Sequence, residues 1–536
     1  MGGGGCGDYK TAYGFTGLPV NNVNQLIYTP YCLPDVIPQN DGSNNQIAIG
    51  NRAGGNNGDG NQGTQSSFSI AIGFLAGYNQ QGTNSIAIGY EAGSNDQGNN
   101  SIAIGNQAGS FNQGLSSIAI GKDAGFNDQK VDSIAIGPAA GKYKQNLFGI
   151  AIGASAGLND QQKKGIAIGV NAGYNQQGED SIAIGFRAGN DQQGSNSIAI
   201  GNQSGYNQQG TNSIAIGTNA GANDQGEFSI AIGDEAGTHK QNRYCVAIGQ
   251  NTGNINQGLV PNRDIYTVAI GTGSGNREQQ SGCVAIGHNA GEQNQNTDAI
   301  ALGYASGKQN QGARSISIGL DTGYNNQGSN SIAIGQNAGN DNQCDYAIAI
   351  GFQTGSYKQG LETVAIGFKC GHNDQCDYAL AIGNNSGVIN QGYGGVAIGG
   401  ECGHINQGKN AVALGIWCGT CDQCDYAIAI GYSTGQHNQG NYSIAIGYQA
   451  GNDNQGSNSI AIGYDAGLND QHDNTIVLNA SGSSLNTGGP DRTYINPIRF
   501  FCDWSTANQS VSGPNSYNLC YDSISHEIFG VQNEFY

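Results

Sequence analysis

A short apolar pattern, first seen as Ile47-Ala48-Ile49-Gly50, recurs along most of the chain. The blocks start at residues 47 and 70, then at every sixteenth residue from 86 to 246 and from 268 to 476. Of the 26 intervals between these 27 blocks, 24 share this same length, and the other two carry insertions around 55–61 and 259–265. A period this strict predicts an array in which each unit stacks on the next.

Each repeat is predicted to be extended rather than helical. Sixteen residues are too few for two packed helices, Ile alternates with small residues, and Gly punctuates every repeat. We therefore expect an all-β chain, a parallel β-solenoid with one 16-residue coil per repeat. At roughly 4.8 Å per coil, the 26 steps predict a rod about 125 Å long.

The residue types at fixed positions of the repeat predict the interior and the turns of each coil. We number these positions from the first Ile of each block, which is position 0. Positions 0 and 2 are always Ile, Val or Leu, and we expect this shared face to fill the coil interior. Positions 3 and 7 are almost always Gly, as tight turns with positive φ require. Position 11 is Gln from Gln81 to Gln471, which predicts a ladder of stacked side-chain amides.

Position 1 is Ala throughout, except for Ser317 and Val477. Alternation with position 0 predicts that this column points away from the interior. A long exposed stripe of small apolar residues would be an interaction surface. Its simplest partner is an identical chain, so we expect a parallel homo-oligomer, with a trimer around the Ala face.

Composition and charge narrow the classes of partner. The chain has 91 Gly, only 11% charged residues and a formal net charge of −19. Nucleic acid binding needs basic patches, so we expect no nucleic acid partner. The longest apolar runs fall well short of the ~18 residues that span a bilayer, and the N-terminus lacks the pattern of a secretory signal. We expect no membrane insertion.

The repeat resembles a known motif. Asn84-Ser85-Ile86-Ala87-Ile88-Gly89, which recurs unchanged at 330–335, is similar to the head repeat of trimeric autotransporter adhesins. The resemblance covers residues 47–479 and implies left-handed parallel β-rolls that lie three side by side as a homotrimer. Residues 480–536 offer no heptad stalk and are too few for stalk and membrane anchor, so we expect the likeness to be confined to the repeats.

The C-terminal residues resemble a second group. The segments NTIVLNASGSSLN (474–486), YINPIR (494–499) and LCYDSISHEI (519–528) look like the end of repeat-bearing fibre proteins of large DNA viruses. This likeness implies a virion fibre. We divide the chain into an N-terminal capping or attachment segment (1–46), a β-roll domain (47–479) and a small β C-terminal cap or trimerisation region (480–536), which includes Trp504.

The 13 cysteines suggest cross-links. Cys402 and Cys418 hold the same column in adjacent coils, roughly 4.8 Å apart, which predicts a disulfide. Cys344, Cys376 and Cys424 all hold position 12. Near a threefold axis they would cross-link chains, and the alternative is that they are small buried thiols.

Metal, cofactor and catalytic sites are not expected. Cys418, Cys421 and Cys424 occupy positions 6, 9 and 12, spread around one coil, where convergence on one ion would need a distorted turn. Asp at position 10, as in Asp96 and Asp128, alternates irregularly with Asn and Gln, which favours a solvated turn over a calcium ladder. The sequence carries no HExxH, GxSxG or Walker motif, so we expect no enzyme.

These observations favour a structural and adhesive fibre on a virion surface or outside the cell. Such a fibre would hold a host surface glycan or receptor through many weak contacts. Two alternatives remain open, a self-assembling extracellular filament joined end to end through 1–46 and a fibre-borne polysaccharide depolymerase.

Overall fold

The computed structural model describes residues 25–28, 46–55, 66–258, 266–498, 517–522 and 524–532. The predicted 259–265 insertion and Trp504 lie outside these residues. The chain forms two compact units, Met1–Asn212 and Ser213–Tyr536. Among the described residues, no helix has the length and apolarity needed to cross a bilayer.

Unit one is a parallel β-solenoid in which each coil contributes two short strands. An N-terminal strand, Gln25–Tyr28, comes first. The isoleucine strands, at positions 0–2, are Gln46–Ile49, Ile70–Ile72, Ile86–Ile88, Ile102–Ile104, Ile118–Ile120, Ile134–Ile136, Ile150–Ile152, Ile166–Ile168, Ile182–Ile184 and Ile198–Ile200. The glutamine strands, at positions 9–11, are Asn79–Gln81, Asn95–Gln97, Phe111–Gln113, Asn127–Gln129, Tyr143–Gln145, Asn159–Gln161, Asn175–Gln177, Asp191–Gln193 and Asn207–Gln209.

Unit two repeats this plan. Its isoleucine strands are Ile214–Ile216, Ile230–Ile232, Cys245–Ile248, Thr267–Ile270, Val284–Ile286, Ile300–Leu302, Ile316–Ile318, Ile332–Ile334, Ile348–Phe352, Val364–Phe368, Leu380–Asn384, Val396–Gly400, Val412–Ile416, Ile428–Tyr432, Ile444–Tyr448, Ile460–Gly463 and Ile476–Asn479. Its glutamine strands are Asn223–Gln225, His239–Gln241, Ile255–Gln257, Gln293–Gln295, Gln309–Gln311, Asn325–Gln327, Asp341–Gln343, Tyr357–Gln359, Asn373–Gln375, Ile389–Gln391, Ile405–Gln407, Cys421–Gln423 and His437–Gln439. Three further strands close the unit, Thr493–Asn496, Tyr517–Tyr521 and Glu527–Gln532.

Strand pairing is parallel and in register from coil to coil. Ile86 pairs with Ile102 in the isoleucine sheet, and Gln81 pairs with Gln97 in the glutamine sheet. Each residue therefore lies over its equivalent in the next coil. The predicted extended, one-coil-per-repeat architecture is confirmed.

Five left-handed residues turn each coil. In the coil that starts at Ile86 these are Gly89 (φ 134°), Glu91 (φ 54°), Gly93 (φ 53°), Asp96 (φ 54°) and Asn100 (φ 57°). Glycine is needed at position 3 for a second reason, because a Cβ there would collide with the carbonyl of the next coil's glycine. Position 7 also needs glycine, because a Cβ on Gly93 would lie 2.8 Å from Oε1 of Gln97. The other three positions accept Asn, Asp and other residues in the αL region.

The interior contains Ala, not Ile, so the predicted orientation of these two columns is wrong. Ala87 is fully buried, whereas Ile86 and Ile88 on either side of it are half-exposed. The reason is the width of the coil. A methyl group added to Gly77 would lie 2.6 Å from Oε1 of Gln81 and 3.4 Å from Cβ of Ala71, so the space beside Ala71 is already filled. The Ala column is core, and the predicted Ala-faced interaction surface does not exist.

Four columns fill this narrow interior. They are Ala at position 1, a small residue at position 6, Gln at position 11 and Ser or another small residue at position 15. In the Ile86 coil these are Ala87, Ala92, Gln97 and Ser101. The Ser101 hydroxyl donates to the carbonyl oxygen of Gly98 at 2.7 Å, so this buried hydroxyl is bonded within its own coil.

The buried column 1 ends in larger side chains at the C-terminal end of the repeat. Along column 1 of unit two, Ala461 is followed by Val477 and then by the buried Tyr494, whose hydroxyl accepts a bond from the Gly488 N–H at 2.9 Å.

Strand Thr493–Asn496 pairs in parallel with the last coil and antiparallel with Glu527–Gln532, which also pairs antiparallel with Tyr517–Tyr521. At the other terminus, strand Gln25–Tyr28 pairs in parallel with Gln46–Ile49. The capping roles of 1–46 and 480–536 remain predictions.

Candidate functional site

The outer surface of the isoleucine strands is a continuous apolar stripe, which we name the isoleucine face. It consists of the side chains at positions 0 and 2 of every coil, all Ile, Val or Leu. In-register pairing stacks these side chains in two columns, as Ile134 over Ile150 and Ile136 over Ile152. No charged residue occupies either column, so each unit presents an unbroken apolar stripe to solvent.

The isoleucine face is wider in part of unit two. From Ile348–Phe352 to Ile444–Tyr448 the strands run for five residues instead of three, which brings position 4 onto the same outer side. That position holds Phe352 and Phe368, whose rings stack with centroids 5.3 Å apart. Aromatic residues thus extend the apolar surface beyond the two isoleucine columns.

The same position-4 column is aromatic again near the end of this region. Tyr432 stacks on Tyr448 and Tyr448 on Tyr464, with centroids 5.3 and 5.2 Å apart. Trp417 meets Tyr432 edge-on at 5.2 Å. These four rings are each 37–44% exposed, so the column is a surface feature rather than core.

Side-chain donors at position 6 accompany the longer strands. The buried side chains of Ser386, Cys402 and Thr434 donate to the glycine carbonyl of the next coil, at 2.7, 3.0 and 2.7 Å. In most of unit one this position is Ala, which has no side-chain donor. In these three coils the added bond ties the turn after the long strand to the following coil.

The predicted amide ladder is confirmed. Nε2 of Gln97 donates to the carbonyl of Ile86 at 2.9 Å and to Oε1 of Gln113 at 3.2 Å, and the same pair of bonds recurs in many coils. The exceptional Ser317 in column 1 belongs to this network, because its hydroxyl donates to Oε1 of Gln327 at 2.7 Å. The Gln column is therefore internal scaffolding, and it presents no surface to a ligand.

Position 10 carries a second ladder, on the outside of the glutamine strands. Nδ2 of Asn294 donates to Oδ1 of Asn310 at 2.8 Å, and Asn310 donates to Asn326 at 2.9 Å. Asp128 accepts the same bond from Asn112 at 3.0 Å. Within the described ranges, no three His, Cys, Asp or Glu side chains are placed to hold a metal ion.

The predicted cysteine sites fall into two groups. Cys402 and Cys418 are buried neighbours in column 6, and both are thiols in the structure. Cys344, Cys376 and Cys424 are exposed on the turn that precedes the isoleucine strand, so the alternative of small buried thiols does not fit them. The disulfide and the interchain cross-links both remain predictions.

Part of the repeat is similar to a known family. Two stretches match the family model of the YadA head domain repeat, residues 81–108 and 209–236. Each begins at a position-11 Gln and ends at a position-6 Ala, so each match encloses two isoleucine strands. Comparison with curated proteins and with solved structures found no match.

The YadA-type matches support an adhesin-type fibre protein and a likeness to trimeric autotransporter adhesin heads. Sequence reasoning found the repeat but missed the isoleucine face. One signal was available, since position 15 is usually Ser and position 1 is Ala, and both share a side of the strand. A column of uniformly small residues indicates a narrow interior as readily as a close external partner.

Proposed function

We propose that this chain is a structural and adhesive fibre protein of a virion surface, and that its copies associate side by side as a parallel homotrimer through the isoleucine face. The single observation that carries the association is the unbroken apolar stripe that each unit exposes. Monomeric proteins rarely expose contiguous apolar patches larger than a few hundred Å².

The energy available at this face is large. Full burial of an Ile side chain contributes about 1.5–3 kcal/mol, so an Ile that is about one-third exposed contributes about 0.5–1 kcal/mol when a partner covers it. Ile168 is 36% exposed and Ile166 less, so together they would contribute at most about 1–2 kcal/mol, before any aromatic contact. Association costs about 4–15 kcal/mol, which the many coils of each unit offset together.

Parallel packing follows from the proposed threefold axis, which relates side-by-side copies that point in the same direction. Copies that run in the same direction keep the isoleucine columns in contact over the whole length of each unit. A trimer is favoured over a dimer by the YadA-type repeats, since that family's heads form homotrimers. A threefold axis closes the assembly and covers the face in every copy.

Adhesion is the finer part of the proposal. YadA-type adhesins lie on the cell surface or outside the cell, and the C-terminal segments 474–486, 494–499 and 519–528 resemble viral fibre ends. A trimer presents each outer contact in three copies, so weak contacts with a host glycan or receptor add through avidity. The described residues add no observation in favour of the filament or the depolymerase.

The association is tested by absolute mass from light scattering, on the full chain in reductant. We expect three times the chain mass of 55.2 kDa. Glutamate at Ile152, Ile168 and Ile184 places three charges on the face, and this triple variant is expected to shift the mass towards that of one chain.

The matched control adds the same three charges elsewhere. Gln176, Gln192 and Gln208 are exposed at position 10, and their change to Glu is nearly isosteric. The control is expected to keep the trimer mass. A monomeric parent chain, or a face variant with the parent's mass, would show that the isoleucine face does not hold copies together. If the parent and the control bind a glycan array and the face variant does not, adhesion by avidity is supported.

A further inference from the structure

Column 6 of unit two is a run of buried side-chain donors. Cys370, Ser386, Cys402, Cys418 and Thr434 occupy it in five successive coils, all essentially shielded from solvent. Every one donates to the glycine carbonyl 13 residues further on, at distances of 2.7–3.1 Å. The column therefore has a fixed geometry in which a thiol and a hydroxyl are interchangeable.

Two of these thiols, those of Cys402 and Cys418, lie in adjacent coils. The Gly403 N–H donates to the Cys418 carbonyl at 2.9 Å, which holds Cys402 and Cys418 one strand spacing apart. That spacing is roughly 4.8 Å between Cα atoms, inside the 4.4–6.8 Å range that disulfides span. The Cys402 thiol also contacts the Cys418 thiol directly. We propose that Cys402 and Cys418 are joined by a disulfide that clamps two adjacent coils of unit two.

Other pairings in this region are geometrically worse. Ser386 separates Cys370 from Cys402, which puts these two thiols two coils apart, about 9.6 Å. Cys421 lies in the glutamine strand Cys421–Gln423, on a different part of the coil. The pair is thus selected by the register of the solenoid.

The contact between the two thiols also opposes the effect of burial. Burial raises the pKa of Cys370, which has no thiol neighbour. The Cys402 thiol lowers the pKa of Cys418, against the opposing effect of burial. The pKa of Cys402 is raised in turn. The contact therefore stabilises one thiolate in the pair.

The oxidation balances with a small-molecule disulfide such as oxidised glutathione. The Cys418 thiolate attacks one sulfur of that disulfide, forms a mixed disulfide and releases one glutathione thiolate, which takes up a proton. Cys402 then loses its proton and attacks the Cys418 sulfur, which breaks the mixed disulfide and releases the second glutathione. Two protein thiols are oxidised, and one glutathione disulfide is reduced to two thiols. Because both cysteines are buried, the exchange proceeds through local opening or as the coils close during folding.

The test is peptide mass spectrometry on the full chain. The protein is incubated with oxidised glutathione, both native and during refolding from denaturant, then quenched with acid, denatured, alkylated and digested with trypsin without reduction. Lys409 lies between the two cysteines, so the disulfide would link peptide 370–409 to peptide 410–492. We expect this linked species in the parent chain, with fragment ions that place the bond at Cys402 and Cys418.

Three serine variants make the assignment. Serine is compatible with column 6, because Ser386 already makes the column's bond at 2.7 Å. Cys402→Ser and Cys418→Ser are each expected to reduce the linked species to background. The matched control Cys370→Ser is expected to leave it unchanged.

Three results would overturn the inference. Alkylation of Cys402 and Cys418 to the same extent as Cys370 under both conditions would show that no bond forms. A link that survives Cys418→Ser would place the bond elsewhere. A species of twice the chain mass on a non-reducing gel, lost in either variant, would make the bond interchain. The inference does not depend on the proposed trimer, since an intrachain bond leaves the light-scattering mass unchanged.

Discussion

The inward orientation of the Ala column predicts a sharp difference between two adjacent substitutions, Ala349→Val and Ile350→Val. Ala349 is fully buried, and a Cβ on Gly355 would lie 3.2 Å from its methyl group and 2.6 Å from Oε1 of Gln359. Two extra carbons at residue 349 must therefore displace the opposite turn or the Gln column. Overpacking of this kind costs about 1–3 kcal/mol. Ile350 points outward, so loss of one methyl group there should cost under about 1 kcal/mol.

Hydrogen exchange measured by mass spectrometry reports this cost locally, which suits a repeat protein. Peptides from the coil that starts at Ile348 should exchange about 5- to 150-fold faster in Ala349→Val, the factor that corresponds to about 1–3 kcal/mol. The same peptides should change by less than about fivefold in Ile350→Val. Normal exchange in Ala349→Val together with fast exchange in Ile350→Val would place Ile inside the coil and refute the assignment of the two faces.

Three further predictions concern single side chains. Ser317→Ala removes the bond to Gln327 and should destabilise its coil by about 0.5–1.5 kcal/mol, which hydrogen exchange of peptides around 316–331 would detect; unchanged exchange would mean that the ladder does not need this hydroxyl. Gly121→Ala would place a Cβ 2.8 Å from the Gly137 carbonyl, at a φ of 128°. We expect the free energy of unfolding to fall by at least about 1–3 kcal/mol, which would lower the thermal midpoint. A midpoint equal to the parent's would count against the tight turn. Burial lowers the pKa of His372 below 6.5, so its neutral form is favoured by folding; its contribution to stability is complete above about pH 6.5 and is lost as the pH falls towards the lowered pKa. The difference in thermal midpoint between the parent and His372→Gln should therefore change between about pH 7.5 and pH 5.5, and a constant difference would contradict it.

Much of this fold is legible in the sequence because every coil repeats it. The spacing of the IAIG blocks predicts the coil length, and β-branched Ile beside Gly predicts strands and turns. The invariant Gln column predicts an amide ladder, and Gln97 makes both of its bonds. These inferences succeed because each depends on local chemistry that recurs in 27 blocks.

The direction of the isoleucine strand could not be obtained in the same way. Alternation places Ile86 and Ile88 on one side and Ala87 on the other, but it does not say which side is internal. The answer depends on the distance between two strands that are nine residues apart in sequence. Only the three-dimensional closure of the coil, where Gly77 meets Ala71 and Gln81, sets that distance. For the same reason, sequence position alone did not show that Cys344 is exposed while Cys402 is buried.

In-register stacking also makes the length of each unit a multiple of one coil. Because each residue lies over its equivalent in the neighbouring coil, removal of 118–133 would let the coil before it meet the coil after it with every column aligned. A deletion one residue shorter or longer would instead place Ile over Ala, so that Ile would point into the coil and Ala towards solvent. Units of this kind can lengthen or shorten by gene duplication or deletion only in whole coils of about 4.8 Å. The bonds to glycine carbonyls and the amide ladders join equivalent residues of neighbouring coils. They therefore fix the length of each unit as a whole number of coils.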